Sequence, residues 1–483
     1  MNRITGMRMK LMALVLALGS FSAGVDQRSG EELFKSAVKV SSGLKDCVVK
    51  FQLSTSSGGS QDLRLYAEED AKYLHSPLLY YQKRTKVEAN YKEQATAGFQ
   101  EIYRSDTDMV ELLMPGALRA LGVIRVYPED PKTFGMNGGC LKNMAPWDVM
   151  DGVAEMARKG TLRFETALHK GKECLVFDVT KSGVVGFHPN VSRVRLLIDA
   201  QTLLPVRLEE FFPGQSKAST WTEWTEFKAN TGLVPGQIAF EGFKNPVSLI
   251  KSPLAKEIDP FLKPVPRTRL VEPAPEAKTL VGSFSKAADA ISSYRADLTM
   301  SFRYGRLRLF RADRFAYHRS PYYFVLVTTA QKADYLLLNH SAGSVLWIDP
   351  AARTFHIIGG GVQRILGEQV FSESDYKFYS SLGDNPYELD FAHIQAMLPD
   401  FNLAKAEAWT VNHQGRKMHE LKLERPGELP PRTPGRINLV IDPETSLPRV
   451  IELSGYDDPQ AYVAVTVDNI KTGVELKPGQ TKF

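Results

Sequence analysis

The sequence predicts a mainly β protein with a few helices (α+β), built from two tandem copies of one domain. Each copy is expected to be a curved antiparallel sheet with helices against its concave face. Three observations carry this expectation: segments that recur at a near-constant spacing, period-two alternation of apolar and polar residues, and a proline-dense connector between the recurring halves.

The recurrence is read first, because a repeat missed is a fold misread. Arg193-Val-Arg-Leu-Leu-Ile-Asp199 returns as Arg436-Ile-Asn-Leu-Val-Ile-Asp442, an offset of 243 residues. Pro235-Gly236-Gln237 and Phe240 return as Pro478-Gly479-Gln480 and Phe483 at the same 243. Upstream, Leu63-Arg64-Leu65, Tyr73 and Ser76-Pro77 match Leu307-Arg308-Leu309, Tyr317 and Ser320-Pro321 at 244. Ser41-Ser42 and Phe51 align with Ser292-Ser293 and Phe302 at 251. The step from 251 to 244 falls in the Ser/Gly-rich stretch 54–61, and insertions belong in exposed turns.

The elements follow in chain order. Residues 1–24 read as a cleaved signal peptide, with an uncleaved N-terminal anchor as the alternative: Arg3, Arg8 and Lys10 precede the apolar run Leu11–Leu18, and small residues follow. That run is too short to span a bilayer, and no later stretch is apolar enough to do so. The protein is therefore expected to be exported, to the periplasm. The first domain is placed at 25–243, the connector at 244–278 and the second domain at 279–483. A helix opens each copy, with Leu33, Phe34, Ala37 and Val38 on one face of the first and Leu280, Phe284, Ala287, Ala288 and Ile291 on that of the second. Ser29 and Glu32 have capping-box spacing. Strands dominate afterwards, as in Val49–Leu53, Cys174–Val179, Leu298–Tyr304 and His419–Leu423, whose alternation implies one dry and one wet face. Second helices are expected at Ala145–Lys159 and near Glu388–Leu398. Seven prolines between 246 and 275 oppose helix and ladder alike, which predicts an extended, stiff connector.

Composition narrows function mainly by exclusion. The net charge of +5 falls to +2 once the three basic leader residues are removed, so nothing argues for nucleic acid as a partner. Cys47, Cys140 and Cys174 make a disulfide permissible in an exported protein, with all three pairings open. Neither cysteines nor the nine histidines show metal-ligand spacing, so no metal or cofactor is expected. Gly359-Gly360-Gly361 lacks the Lys-Ser/Thr of a phosphate loop, and no Gly-x-Ser-x-Gly elbow is present. Trp221 and Trp224 fall on opposite faces of one strand. The sequence gives no reason to expect an enzyme.

A short helix leading into a long antiparallel meander in an exported chain resembles the LolA-like superfamily, whose members include periplasmic lipoprotein carriers and the envelope sensor RseB. The second copy carries the clearer match. Leu307-Arg-Leu-Phe-Arg311-Ala-Asp-Arg-Phe315-Ala-Tyr317 resembles the carriers' basic residue ahead of an apolar stretch. Leu336–Pro350 resembles the hairpin that follows, with Asn339-His340 where Asp-Gly is usual. The first copy resembles a related exported family of unknown function through Glu101-Ile-Tyr103 and Arg125-Val-Tyr-Pro128-Glu-Asp-Pro131. The resemblance implies a hydrophobic-ligand carrier for lipid or lipoprotein acyl chains. Phe302, Tyr304, Phe315, Tyr317, Phe324 and Trp347 would line its groove, and Arg311 would clasp a lid. The bland alternatives are that the aromatics form ordinary core and that Arg311 is a solvated strand-end arginine. Ala67, aligned with Arg311, carries no such group, which implies a structural or differently gated first copy. The resemblance equally allows an RseB-like sensor or adaptor that docks an envelope protein.

Overall fold

A computed structural model describes residues 27–56, 64–89, 97–116, 122–128, 141–181, 191–242, 265–320, 322–333, 342–349, 354–360, 367–372, 390–427, 433–456 and 458–475, with a few single positions between. The signal peptide and Cys140 lie outside the described residues.

The first half begins with helix α1 (Gln27–Ser42) and a meander of β1 (Asp46–Ser56), β2 (Arg64–Leu74), β3 (Leu79–Ala89), β4 (Gln100–Arg104), β5 (Met109–Leu113) and β6 (Val123–Val126). Helix α2 (Pro146–Lys159) follows, then β7 (Thr161–His169), β8 (Lys172–Thr180), β9 (Arg193–Asp199), β10 (Pro205–Phe211) and β11 (Thr220–Ala229). The second half adds a two-residue strand, β12 (Thr268–Arg269), before helix α3 (Ala277–Ala290). It continues through β13 (Ser293–Tyr304), β14 (Leu307–His318), β15 (Tyr323–Ala333), β16 (Val345–Asp349), β17 (Thr354–Ile358) and β18 (Glu368–Ser372). Helix α4 (Phe391–Met397) precedes β19 (Glu407–His413), β20 (Arg416–Glu424), β21 (Arg436–Ile441), β22 (Pro448–Ser454) and β23 (Tyr462–Thr472).

These strands make two open antiparallel sheets, the α+β architecture the LolA-like resemblance implies. Strand order is β6-β5-β4-β3-β2-β1-β11-β10-β9-β8-β7 in one and β12-β19-β20-β21-β22-β23-β13-β14-β15-β16-β17-β18 in the other. Apart from β12, the two orders are identical. In each sheet the first long strand pairs with the last (β1 with β11, β13 with β23), so two meandering arms spread from a central seam. One face of each sheet packs under its helices, with Phe34, Val149, Met150 and Val153 in the first core and Leu280, Phe284, Phe391 and Ile394 in the second.

Three details differ from the expectations. Pairing fixes the offset along β1 at 247, because Cys47 lies opposite Tyr73 and Tyr294 opposite Tyr317. The Ser-Ser and Phe matches at 251 were coincidences of local sequence, since the ladder rather than residue identity sets register. Ser29 lies inside α1 and is not its cap. The connector does not stay free of the ladder: Thr268 and Arg269, between Pro266 and Pro273, keep their N–H groups and pair antiparallel with Asn412 and Val411. Leu270 N donates to Thr410 O at 2.8 Å.

Candidate functional site

The residues expected to line a groove lie on β13 to β16. Alternation along β13 puts Tyr294, Ala296, Leu298, Met300, Phe302 and Tyr304 on one face, and register sets Phe315 opposite Ala296 and Tyr317 opposite Tyr294. Tyr317 then faces Phe324 on β15. Phe302, Phe315, Tyr317 and Phe324 are all buried within the second core. Their neighbours fill the space above them: Tyr294 stacks on Phe391 of α4 at 4.8 Å, and Phe324 lies 6.0 Å from both Phe315 and Phe355. Tyr304 is half-buried at the end of the same face. Trp347 lies between buried Leu346 and Ile348, so alternation turns it to the opposite face, where its ring stacks on His356 at 5.2 Å. Five of the six aromatics share a face and Trp347 leaves it.

Arg311 is neither at a strand end nor solvated. It sits mid-strand in β14 on the apolar face, opposite Met300, with its side chain 3% exposed. Its Nε donates to Asp313 Oδ2 at 2.6 Å, and Asp313 is 1% exposed. Burial pushes the Asp313 carboxyl above its ordinary range, outweighing the attraction of Arg311. Asp313 was missed by the sequence reading, although its signal was present: Arg311 and Asp313 are two apart on a strand, so alternation places both charges among the apolar residues.

The first sheet holds the matching acid with a different cation. Glu69 is aligned with Asp313 at offset 244 and is buried on the same face of β2 as Ala67 and Ala71. Arg84, across the ladder on β3, donates to Glu69 Oε1 at 3.1 Å. Burial raises the Glu69 pKa as it does that of Asp313. Both acids stand at a bulge, where the register shifts between Glu68 and Glu69 and between Ala312 and Asp313. The extra residue is a threonine each time, and its hydroxyl donates to the facing carbonyl: Thr85 to Glu68 at 3.0 Å, Thr329 to Ala312 at 2.9 Å.

Among the described residues, one hollow beneath the helices of the first half is small. Bounded by Phe51, Met144, Val149, Leu208 and Trp224, it has a volume of about 10 Å³, enough for a water and not for an acyl chain. Beside it, an open groove of about 960 Å³ runs between α1 and α2, floored by Phe34, Val38, Ala154, Ala157 and Leu162 and edged by charged residues such as Lys35 and Glu155. Near the start of α2, Trp147 Nε1 donates to Tyr80 Oη at 2.9 Å, and His75 stacks on Trp147 at 4.8 Å. Burial pushes the neighbouring Asp148 carboxyl up to about 7, against the lowering effect of the Tyr80 hydroxyl.

Other chemistry is sparse. Cys47 and Cys174 are buried free thiols, so they do not pair with each other, and burial pushes both thiol pKa values up. A buried, protonated thiol is a poor nucleophile. Among the described residues no group of three His, Cys, Asp or Glu could hold a metal ion, and no helix is long and apolar enough to cross a membrane.

No family model and no curated protein matches the chain. Solved structures that it is similar to include the lipoprotein LppX of Mycobacterium tuberculosis, 12% identical with a TM-score of 0.28 over 43% of this chain and 99% of that one. LprF from Mycobacterium bovis is 11% identical with a TM-score of 0.28, over 42% of this chain and 95% of its own. The complex of MucA and MucB from Pseudomonas aeruginosa matches at 9% identity with a TM-score of 0.29, over 71% of this chain and 91% of that one.

Proposed function

We propose that the protein is a non-catalytic binding protein of the cell envelope, carrying a hydrophobic ligand such as a lipid or the acyl chain of a lipoprotein. The open groove between α1 and α2 supports this reading most. Its volume of about 960 Å³ lies within the range of small-molecule sites, and its floor of Phe34, Val38 and Leu162 is apolar under a charged rim. Each methylene removed from water there contributes about 0.8 kcal/mol. A carboxylate or phosphate headgroup would remain at the rim, near Lys35 and Arg158.

The test is native purification, lipid extraction and mass spectrometry, with displacement of a fluorescent fatty acid as the quantitative readout. Co-purifying acyl species and at least about fivefold weaker binding in Ala154→Trp, which fills the groove, are the expected results. Absence of any acyl species, with displacement unchanged in that variant, overturns the carrier reading.

A second reading, an adaptor or sensor that docks an envelope protein, is favoured by the packing of the second sheet. Phe302, Phe315, Tyr317 and Phe324 are committed to its core, and Arg311 is committed to Asp313. Lipid-free protein that forms a defined complex with one envelope partner would select this reading.

A further inference from the structure

The two sheets share their strand order except at one place: the second carries β12 on the outer edge of β19, while the first ends at β7. β7 and β19 correspond at offset 244, and each closes a two-residue hairpin with the next strand, His169 opposite Lys172 and His413 opposite Arg416. The closing pair of such a hairpin exchanges both hydrogen bonds, so alternate residues back from it bond inward and those between them face out. Thr410 and Asn412 are the outward pair in β19, and they are met there by the connector. Thr166 and Leu168 are the outward pair in β7. Among the described residues no strand meets them, and Leu168 is 78% exposed, a large apolar side chain on an open edge.

We infer that the outer edge of β7 is a docking site for an extended peptide segment of a partner protein, added as a further antiparallel strand opposite Ala167 and Leu168. The occupied edge shows what such a segment needs. On β19, Arg269 lies over the Trp409 ring at 3.6 Å, while Arg267 bridges Glu420 and Glu452, each at 2.6 Å. On β7 the residue aligned with Trp409 is Glu165, which accepts from Arg195 Nη2 at 2.8 Å but is 59% exposed, so a basic residue opposite Ala167 can share that acid from the solvent side. The residues aligned with Glu420 and Glu452 are Val176 and Glu209. Glu209 already accepts from Arg207 at 2.8 Å and has Arg195 3.9 Å away, so an arginine matching Arg267 has no acid to neutralise and an aliphatic residue suits Val176. The partner segment is therefore extended, aliphatic where the connector has Arg267, and basic where it has Arg269. The chain's own residues at the matching distance before α1, 21–22, fall within the expected signal peptide. The inference does not depend on the lipid reading, since Thr166 to Leu168 stand at the opposite end of β7 from Thr161 and Leu162, which line the α1–α2 groove.

The experiment uses the full chain and two labelled peptides: the connector sequence 265–271, and the same peptide with Arg267→Val. Fluorescence polarisation should show saturable binding of both, at least about threefold tighter for the valine peptide. Leu168→Pro removes an outward N–H and leaves the β8 ladder intact, and it should weaken binding about tenfold with an unchanged circular dichroism melt. Glu165→Lys should weaken binding and recover it with a peptide carrying Arg269→Glu. No saturable binding, or equal binding to Leu168→Pro and Glu165→Lys, overturns the proposal. Concentration-dependent dimers abolished by Leu168→Pro would overturn it in favour of a second copy of the chain. Slow amide exchange at Leu168 in the protein alone would overturn it in favour of the chain's own N-terminal segment.

Discussion

Glu69 in the first sheet and Asp313 in the second occupy one position of one architecture, yet their cations come from different places. Arg84 reaches Glu69 from the adjoining strand, and the residue aligned with it is Thr328. Arg311 reaches Asp313 along the same strand from two residues away, and the residue aligned with it is Ala67. The acid and its bulge are shared while the arginine has moved, which shows that what the site requires is a neutralised carboxylate rather than a cation at a set place. The two pairs also differ in access to water. Arg84 is 19% exposed, whereas Arg311 is 3% exposed.

That difference in access sets the largest expected effects. Removing one partner of a buried pair strands the other charge, at a cost of about 3–5 kcal/mol. Arg311→Ala and Asp313→Asn should each approach that loss in urea unfolding followed by tryptophan fluorescence. In Glu69→Gln the partly exposed Arg84 keeps its place over the Phe99 ring and its access to water, so the loss should stay near about 1 kcal/mol. Two halves with separate cores need not melt together. Variants at 69 and 84 should then shift a different transition from those at 311 and 313. Equal losses in Asp313→Asn and Glu69→Gln would erase the distinction drawn between the pairs.

Transplanting the cation sharpens the comparison. Arg311→Ala combined with Thr328→Arg gives the second sheet the arrangement of the first. In a double-mutant cycle the two substitutions should couple favourably by about 2 kcal/mol, so that the pair is more stable than either change alone predicts. Additive losses would mean that the bulge, and not the charge, fixes the acid's environment.

Parts of this comparison were legible from residues alone, and others were not. Alternation and recurrence located the strands and the two-halved architecture, because period and repeat are properties of sequence. Ala67 was correctly seen to lack the group of Arg311, but its consequence was out of reach: Arg84 lies 15 residues from Glu69, and only the bulge at Thr85 brings them opposite. β12 was hidden because proline density argued against a ladder, while two residues between prolines suffice for one. Five of the six aromatic residues named for a groove share a face as alternation requires, and Trp347, flanked by buried Leu346 and Ile348, does not. Whether such a face is packed or open depends on helices that arrive from 70 or more residues away, as Phe391 does over Tyr294.

The helices that cover the two sheets differ in the same manner. Asp390 caps α4, its carboxylate accepting from Ala392 N at 2.8 Å and His393 N at 3.1 Å. Asp148 lies inside the first turn of α2, beside Tyr80, where burial raises its pKa to about 7. A carboxyl whose folded pKa exceeds its unfolded value contributes stability that is fully present below about 4 and lost as pH rises through about 7. Wild type should therefore lose stability across that window, and Asp148→Asn should not. At pH 8 the variant should be more stable by about 2 kcal/mol, a figure kept modest because Asp148 is half-buried. Asp390→Ala should instead cost about 1 kcal/mol through the lost cap. Thermal melts of both variants from pH 4 to 8 would separate the two roles.

The smallest effect is expected where the halves meet. Arg306, in the tight β13–β14 turn, donates to Asp108 Oδ2 at 3.0 Å and to its carbonyl at 3.1 Å, and lies over the Tyr127 ring at 4.5 Å. Asp108 has a positive φ of 47° and also accepts from Tyr103 at 2.9 Å. Although burial pushes its carboxyl up, the Tyr103 hydroxyl, Lys142 and Arg306 together hold it below the usual range. The β1–β2 connection is seven residues long, 57–63, against the two of this turn, Gly305 and Arg306. A pair this exposed adds at most about 1 kcal/mol to stability and weakens with salt. Arg306→Ala should leave both melting transitions nearly in place. It should nevertheless increase the radius of gyration in small-angle scattering, since one side chain joins Asp108 and Tyr127 of the first half to the second. Raised salt should reproduce that change in wild type and add nothing in the variant. Identical scattering from the two proteins at low salt would show that the halves are held by other contacts.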